Sequence, residues 1–99
     1  MNVFDIPPPP LPEEVKTILA ESGDVRIERI VSTGQVSDWY DQEETEFVIL
    51  LEGEAIIEYE NNVTAALSKG DTLTIKPHER HRVCYTSVRP PCIWLCVFY

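Results

Sequence analysis

The stretch Gly34–Gly53, GQVSDWYDQEETEFVILLEG, joins a polar, acidic half to an apolar half. Side chains alternate between the two faces of a strand, so residues of one parity share one side. On the opposite side of the apolar half lie Phe47, Ile49 and Leu51. This half carries apolar side chains on both of its faces, and that pattern predicts a strand buried between two layers. The other side of the stretch, from residue 40 onward, carries Tyr40, Gln42, Glu44, Glu46, Val48 and Leu50.

The chain on both sides of this stretch is also typical of strands. Short runs rich in Val, Ile, Thr, Tyr and Phe are separated by turn residues such as Gly53, Asn61-Asn62 and Gly70. Asn61-Asn62 between two such runs predicts a tight hairpin. Seven or eight short strands predict an all-β sandwich or barrel. The predicted runs after Gly23 are 25–32, 46–51, 55–60, 63–67, 71–76, 81–87 and 92–99.

Residues 1–23 are predicted to form a proline-rich arm and a short helix, ahead of a single barrel domain over residues 24–99. Pro7–Pro10 is stiff and lacks backbone donors, so it either packs along the barrel or serves as a ligand for an SH3-like module. In the segment 11–20, a proline and two acids suit a helix start. Its apolar residues Leu11, Val15, Ile18 and Leu19 share one helical face.

Charge and composition exclude several classes of partner. The net charge is −9, which argues against nucleic acid and against an anionic membrane surface. No apolar run approaches the roughly 20 residues of a membrane helix, and residues 1–12 lack the features of a secretory signal. The odd cysteine count, with Cys84, Cys92 and Cys96, favours reduced core thiols in a cytoplasmic protein.

The spacing in Gly34–Gly53 resembles the first motif of the cupin family. Five residues separate Gly34 from Tyr40, and Gln42, Glu46 and Gly53 follow at the family's intervals. Tyr40 and Gln42 stand where the family has two histidines. The second motif is similar to the segment from Gly70 to His81, with Lys76 in the place of its proline and His78 in the place of its second glycine. The resemblance covers residues 25–99.

This resemblance implies an all-β fold, the double-stranded β-helix or jelly-roll barrel, with a pocket inside. A group of small single-domain cupins shares the Tyr-x-Gln replacement, and such relatives often carry a histidine where this chain has Phe98. By the family's geometry, Tyr40, Gln42, Glu46 and His81 face the interior. Side chains of one parity in the last strand, and one aromatic residue before it, are expected to line the same pocket: Trp94, Cys96, Phe98 and Tyr85.

By position, the resemblance implies Gln42, Glu46 and His81 as ligands of a divalent metal such as Zn, Fe, Mn or Ni. Tyr40 or Glu44 would then move a proton. The alternative is a hydrogen-bonded Glu46–His81 pair in a pocket without metal. His78, next to the motif, is either a further ligand or an exposed turn residue.

Two functions therefore stand open. One is a metal-dependent enzyme acting on a small oxygenated, sugar-like or acid-like substrate; the other is a non-catalytic module that binds a small molecule. The outward stripe Phe47, Ile49 and Leu51 is expected to lie under the N-terminal helix or under a second subunit. Because cupins commonly pair through such sheets, the resemblance implies a homodimer.

Overall fold

A computed structural model describes residues 1–99, which form eight β-strands and one short 3-10 turn, Glu60–Asn62. Alternating β-branched and polar residues favour strands along most of the chain. The strands are β1 Val15–Ser22, β2 Val25–Ser32, β3 Glu46–Glu52, β4 Ala55–Tyr59, β5 Thr64–Leu67, β6 Thr72–Ile75, β7 His81–Thr86 and β8 Cys92–Phe98.

The strands form two antiparallel sheets that enclose one core. The larger sheet has the order β1-β2-β8-β3-β6 and the smaller one β5-β4-β7. Buried apolar side chains from both sheets meet between them, among them Leu50 and Trp94 from the larger sheet and Ile57 from the smaller. This is the all-β jelly-roll barrel that the sequence predicts, and the seven strand runs predicted after Gly23 are confirmed.

The predicted hairpin at Asn61-Asn62 is also confirmed. Both residues have positive φ, 66° and 62°, which asparagine tolerates better than most residues. The amide of Tyr59 donates to the carbonyl of Val63 at 2.7 Å and closes the turn between β4 and β5.

The predicted N-terminal helix is wrong, because Val15–Ser22 forms edge strand β1, paired antiparallel with β2. The pairing slips between Ile18 and Ala20, which marks a bulge at Leu19. A bulge adds one residue to a strand, so apolar residues on one side of the strand are spaced along the sequence as they would be on one face of a helix. Tertiary pairing with β2 then overrides the local pattern. The boundary expected at residue 23 falls in the turn of this hairpin.

The proline-rich arm packs along the barrel. Leu11 donates its amide to Thr33 Oγ1 at 2.9 Å, and the guanidinium of Arg29 donates to the carbonyl of Asp5 at 2.8 Å. No helix has the length and hydropathy needed to cross a membrane. All three cysteines are free thiols, but only Cys92 and Cys96 are buried, so the expectation of a core position is wrong for Cys84.

Candidate functional site

A cavity of about 250 Å³ opens between the two sheets. Pockets for drug-sized ligands span roughly 300–1,000 Å³, so this one suits a smaller molecule. Apolar side chains of both sheets form its floor, including Val48, Ile57 and Ile75. Polar side chains come mainly from β2 and from the segment between β2 and β3, and β7 adds His81.

The segment between β2 and β3 brings three of the predicted residues to the cavity, Tyr40, Gln42 and Glu44. Tyr40 and His81 pair through their backbones, with N to O distances of 2.7 and 3.1 Å. Two residues on, the carbonyl of Gln42 accepts from the amide of His78 at 2.7 Å. These contacts fix the segment against β7, so that Tyr40 and Gln42 line the cavity and the Tyr40 ring lies 5.6 Å from the His81 ring.

Glu46 and Glu28 are the two most enclosed carboxylates of the cavity, and Glu46 is the one without an Arg or Lys partner. It begins β3, is 8% exposed, and accepts a hydrogen bond from Gln42 Nε2 at 3.2 Å. Burial raises the pKa of the Glu46 carboxyl above its ordinary value, although the hydrogen bond from Gln42 and the nearby His81 oppose the shift. Burial also raises the pKa of the Cys96 thiol well above its ordinary value, and neighbouring Glu46 adds to this shift. Cys96 is therefore a protonated thiol at neutral pH.

His81 is 3% exposed and has one ring nitrogen engaged. Its Nδ1 lies 2.8 Å from the carbonyl oxygen of Glu79, which can only accept, so Nδ1 carries the proton in this contact. Nε2 is then an acceptor in the neutral ring, and it makes no hydrogen bond within the protein. A buried histidine with one fixed and one free nitrogen is suited to hold a ligand atom.

A second polar cluster lies beside this pair. Arg26 of β2 binds Glu28 through Nε, and its NH1 group donates to Glu44 at 2.9 Å. The guanidinium also lies 4.3 Å from the centre of the Phe98 ring. Glu44 is thus held in an ion pair at the cavity through one of its two carboxylate oxygens.

The structure brings most of the predicted site residues together around the cavity: Tyr40, Gln42, Glu44, Glu46, His81, Trp94, Cys96 and Phe98. Tyr85 does not line it, and its side chain is 46% exposed. The register between β4 and β7 shifts between Ile56 and Ile57, which pair with Tyr85 and Val83 and leave Cys84 unpaired. This bulge reverses the alternation, so Thr86 points inward in place of Tyr85.

His78, considered as a further ligand, and the aromatic residue Trp39 also lie outside the cavity. His78 is an exposed turn residue whose Nδ1 lies 2.7 Å from Asp41. Trp39 packs beneath the guanidinium groups of Arg80 and Arg82, at 5.1 and 4.7 Å from its ring centre.

The sequence reasoning missed the contribution of β1 and β2. The polar members of the alternation in β2 point into the cavity, whereas the usual pattern puts apolar residues inside. The alternation itself was visible, but only pairing with β8 decides which parity faces inward. The side chains missed are Glu14, Lys16, Arg26, Glu28, Ser32, Gln35 and Ser37.

The residues present do not fit the metal that the resemblance implies. A zinc site needs at least three good ligands around one point. No three His, Cys, Asp or Glu side chains meet in such an arrangement. Glu46 and His81 are two suitable ligands, but Gln42 turns its amide nitrogen towards Glu46 and the Cys96 thiol keeps its proton.

Comparison with known proteins agrees with this architecture. The structure is similar to that of a protein provisionally named mannose-6-phosphate isomerase from Ralstonia eutropha JMP134, at 37% identity over 99% of this chain and 94% of that one, with a TM-score of 0.93. A cupin superfamily protein from Desulfitobacterium hafniense DCB-2 matches at 18% identity, over 92% of this chain and 81% of that one, with a TM-score of 0.80.

Comparison with curated protein sequences gave no significant match. The family model for the cupin domain matches residues 27–98, from the third residue of β2 to the end of β8. That segment carries both motifs and almost all of the cavity's buried polar side chains. The chain therefore belongs to the cupin superfamily.

Proposed function

We propose that this cupin binds a small molecule in the cavity between its sheets, and that Glu46 and His81 make the principal polar contacts. One observation carries the proposal: two buried side chains with free acceptor atoms face the same small cavity. Buried polar groups almost always have hydrogen-bond partners, so these atoms need a ligand or ordered water.

Each neighbouring residue has a role in this proposal. Gln42 orients the Glu46 carboxylate through its amide, and the carbonyl of Glu79 fixes the tautomer of His81. Tyr40 lies beside His81 at the more open side of the cavity and presents a phenol to the ligand. The apolar floor excludes water, which strengthens each polar contact with the ligand.

The Ralstonia eutropha relative suggests isomerisation of a phosphorylated sugar as one activity. A phosphate would need cationic side chains or free backbone amides in the cavity. The two cations that line it are already engaged, Lys16 with Glu14 at 3.7 Å and Arg26 with Glu28 and Glu44. The residues of this chain therefore favour an unphosphorylated ligand.

A metal-dependent enzyme is the second candidate, since cupins commonly bind a divalent metal. The observation in its favour is His81, because metal-binding histidines usually donate their other ring N–H to a carbonyl or carboxylate. In that function Gln42, Glu46 and His81 would have to hold the metal, and Gln42 would have to turn its amide oxygen from its present orientation.

Elemental analysis of untagged protein separates the two candidates. The proposal predicts protein without stoichiometric Zn, Fe, Mn or Ni that also fails to retain added metal. Near-stoichiometric metal that is lost in His81→Ala but kept in His78→Ala would favour the enzyme. His78 is the matched control, because it is the chain's other histidine and lies outside the cavity.

Ligand binding is tested on wild-type protein by NMR of the histidine rings, with a set of small polar metabolites. We expect a binding compound to shift the His81 signals and to leave those of His78 unchanged. If no compound of the set shifts the His81 signals of metal-stripped protein, the result contradicts the proposed function.

A further inference from the structure

We propose that the ligand of this cavity carries a positive charge, as an ammonium or amidinium group, and that this group contacts the Glu46 carboxylate. The inference rests on the proposed function, that the cavity binds a small molecule, and it names the chemical class of that molecule. Three independent features of the cavity lead to it: its charge balance, its free hydrogen-bonding atoms and its aromatic rings.

The charge balance leaves one carboxylate without a cation. Lys16 and Arg26 are the Lys and Arg side chains that line the cavity. Lys16 contacts Glu14, and the single positive charge of Arg26 is shared by Glu28 and Glu44. Glu46 receives the amide of Gln42 and the thiol of Cys96, both neutral donors, and has no Lys or Arg partner. A charged group buried without a counterion is costly, and a bound cation would remove that cost.

The free hydrogen-bonding atoms are mainly acceptors. Gln35 is engaged at both ends, since its amide donates to Leu11 O and its oxygen accepts from the Thr33 amide. The Ser37 hydroxyl is likewise engaged, as donor to Asp38 O and acceptor from the Val83 amide.

Of the polar side chains deeper in the cavity, Trp94 donates its indole N–H to Ser32 Oγ at 3.3 Å, which removes that donor. What remains at the centre is the Glu46 carboxylate and His81 Nε2, while Tyr40 and Ser32 offer one hydrogen each and the Cys96 thiol donates to Glu46. A cavity whose strongest free groups accept hydrogen bonds is suited to a ligand rich in N–H donors.

The rings of the cavity are the third feature. A cation is attracted to the face of an aromatic ring within about 6 Å. The Phe98 ring already holds the Arg26 guanidinium in this way, at 4.3 Å from its centre. Tyr40 and Trp94 also line the cavity, and no cation of the protein lies over either ring. A carboxylate together with unoccupied ring faces is a combination suited to organic cations.

Three compounds of nearly equal shape test the inference at neutral pH: benzylamine, benzyl alcohol and benzoate. Binding is measured by isothermal titration calorimetry and by the NMR shifts of His81. We expect benzylamine to bind at least about tenfold more tightly than benzyl alcohol, since neutralising a desolvated carboxylate is worth on the order of one decade or more. Benzoate should bind more weakly than either compound.

Glu46→Gln should abolish the preference for the amine, and Glu46→Asp, which keeps the charge, should retain it. The matched control is Glu60→Gln, which makes the same change in net charge at an exposed ion pair with Arg80. It should leave the preference unchanged, since the cavity does not include Glu60.

Equal or weaker binding of benzylamine than of benzyl alcohol overturns the inference, and so does failure of all three compounds to bind at millimolar concentration. If the alcohol or benzoate shifts His81 while the amine does not, the cavity binds small molecules and only the charge assignment fails. If Glu46→Gln does not fold, the comparison of the three compounds on wild-type protein and on Glu46→Asp still decides.

Discussion

At the scale of single residues, the position of Glu46 links ligand binding to stability. Burial raises the pKa of its carboxyl, so the folded protein holds this proton more strongly than the unfolded chain does. The stabilisation is therefore fully present below the ordinary value of 4.5, and it is lost as the pH rises through the raised value. Above that range the folded protein contains a buried, ionised carboxylate, which the proposed cation would neutralise.

We predict that Glu46→Gln lacks this loss of stability, because the amide cannot ionise. The free energy of unfolding of the variant, measured relative to wild type, should rise between pH 4 and pH 7. Urea unfolding at a series of pH values, in the presence of a chelator, measures it. Glu60→Gln should follow the wild-type curve more closely, since its side chain is exposed. Identical pH dependence of wild type and Glu46→Gln would contradict the prediction.

Gly53 is required for a different reason, at the tight connection between β3 and β4. It has a φ of +93°, and an added Cβ would lie 2.8 Å from the backbone of Pro91 and Cys92. Gly70 has a similar φ of +90°, but an added Cβ would meet nothing within 4 Å. The two glycines share the conformational requirement and differ in the space around them.

We predict that Gly70→Ala costs about 1 kcal/mol of stability, the usual cost of a positive φ for alanine, and that Gly53→Ala costs at least ~1 kcal/mol more. Chemical denaturation of both variants gives the two free energies. Equal costs would mean that the backbone near Cys92 yields freely to the added methyl group.

The candidate site shows which residue positions a sequence can and cannot assign. Tyr40, Gln42, Glu46 and His81 reach the cavity, because the motif spacing puts Glu46 and His81 at the starts of strands and the backbone contacts of Tyr40 and Gln42 hold their segment beside them. Tyr85 does not, because a bulge at Cys84 reverses the alternation, and a bulge has no signal in this stretch of sequence. The inward position of Arg26 depends on pairing between distant strands, which local alternation cannot supply.

At the scale of elements, β1 shows the same limit. Its apolar residues fit a helical face as well as a bulged strand, since a short apolar run does not separate the two by periodicity. What decides is the free edge of β2, which offers hydrogen bonds along Val15–Ser22. The seven strands of the cupin segment were predictable because turn residues and β-branched runs agreed with each other.

The N-terminal arm depends on one buried side chain of β2. Arg29 is 5% exposed; its NH1 group donates to the carbonyl oxygens of Asp5 at 2.8 Å and Val3 at 3.4 Å, and its Nε has no partner. A buried guanidinium that is satisfied only in part by backbone carbonyls contributes little net stability. Its contribution is to hold the arm in place.

We predict that Arg29→Met changes the free energy of global unfolding by less than about 1 kcal/mol but frees the arm. Hydrogen exchange at the Asp5 amide, which donates to Asn2 O at 3.0 Å, should become markedly faster, as should proteolysis within residues 1–10. Phe4→Ala is the control, since that exposed side chain should leave the arm protected. Unchanged exchange in Arg29→Met would show that Leu11 and the prolines suffice to hold the arm.

At the scale of the whole molecule, two motifs in order were enough to identify the barrel, because their glycines and inward polar residues keep fixed intervals despite substitutions. The ligand class was not predictable in this way. It depends on the sum of charges and free donors around the cavity, which come from β1, β2, β3, β7 and β8 and from one connecting segment. Tyr40 and Gln42 stand where the family has two histidines, and the effect of this difference on the ligand can be judged only together with the other side chains around the cavity.

The outer face of the larger sheet leads to the last prediction, a homodimer. Half-buried apolar side chains continue across it from Ile27 through Val97 and Leu95 to Ile49 and Phe47. Two chains that each carry a net charge of −9 repel one another, so an interface between copies must avoid carboxylates. None of these side chains is acidic, so two copies can meet on this face without bringing carboxylates of this row together.

We predict twice the mass of one chain for wild-type protein in size-exclusion chromatography with light scattering, and a monomer for Leu95→Glu. The introduced carboxylate would face its symmetry-related copy near the centre of the interface, where a like-charge contact costs several kcal/mol. Val63→Glu is the matched control, because Val63 is exposed in the hairpin between β4 and β5, away from this face, and the change in charge is the same. A monomeric wild type would refute the dimer, whereas a dimer that survives Leu95→Glu would place the interface on another surface, with the edge strand β1 as the next element to test.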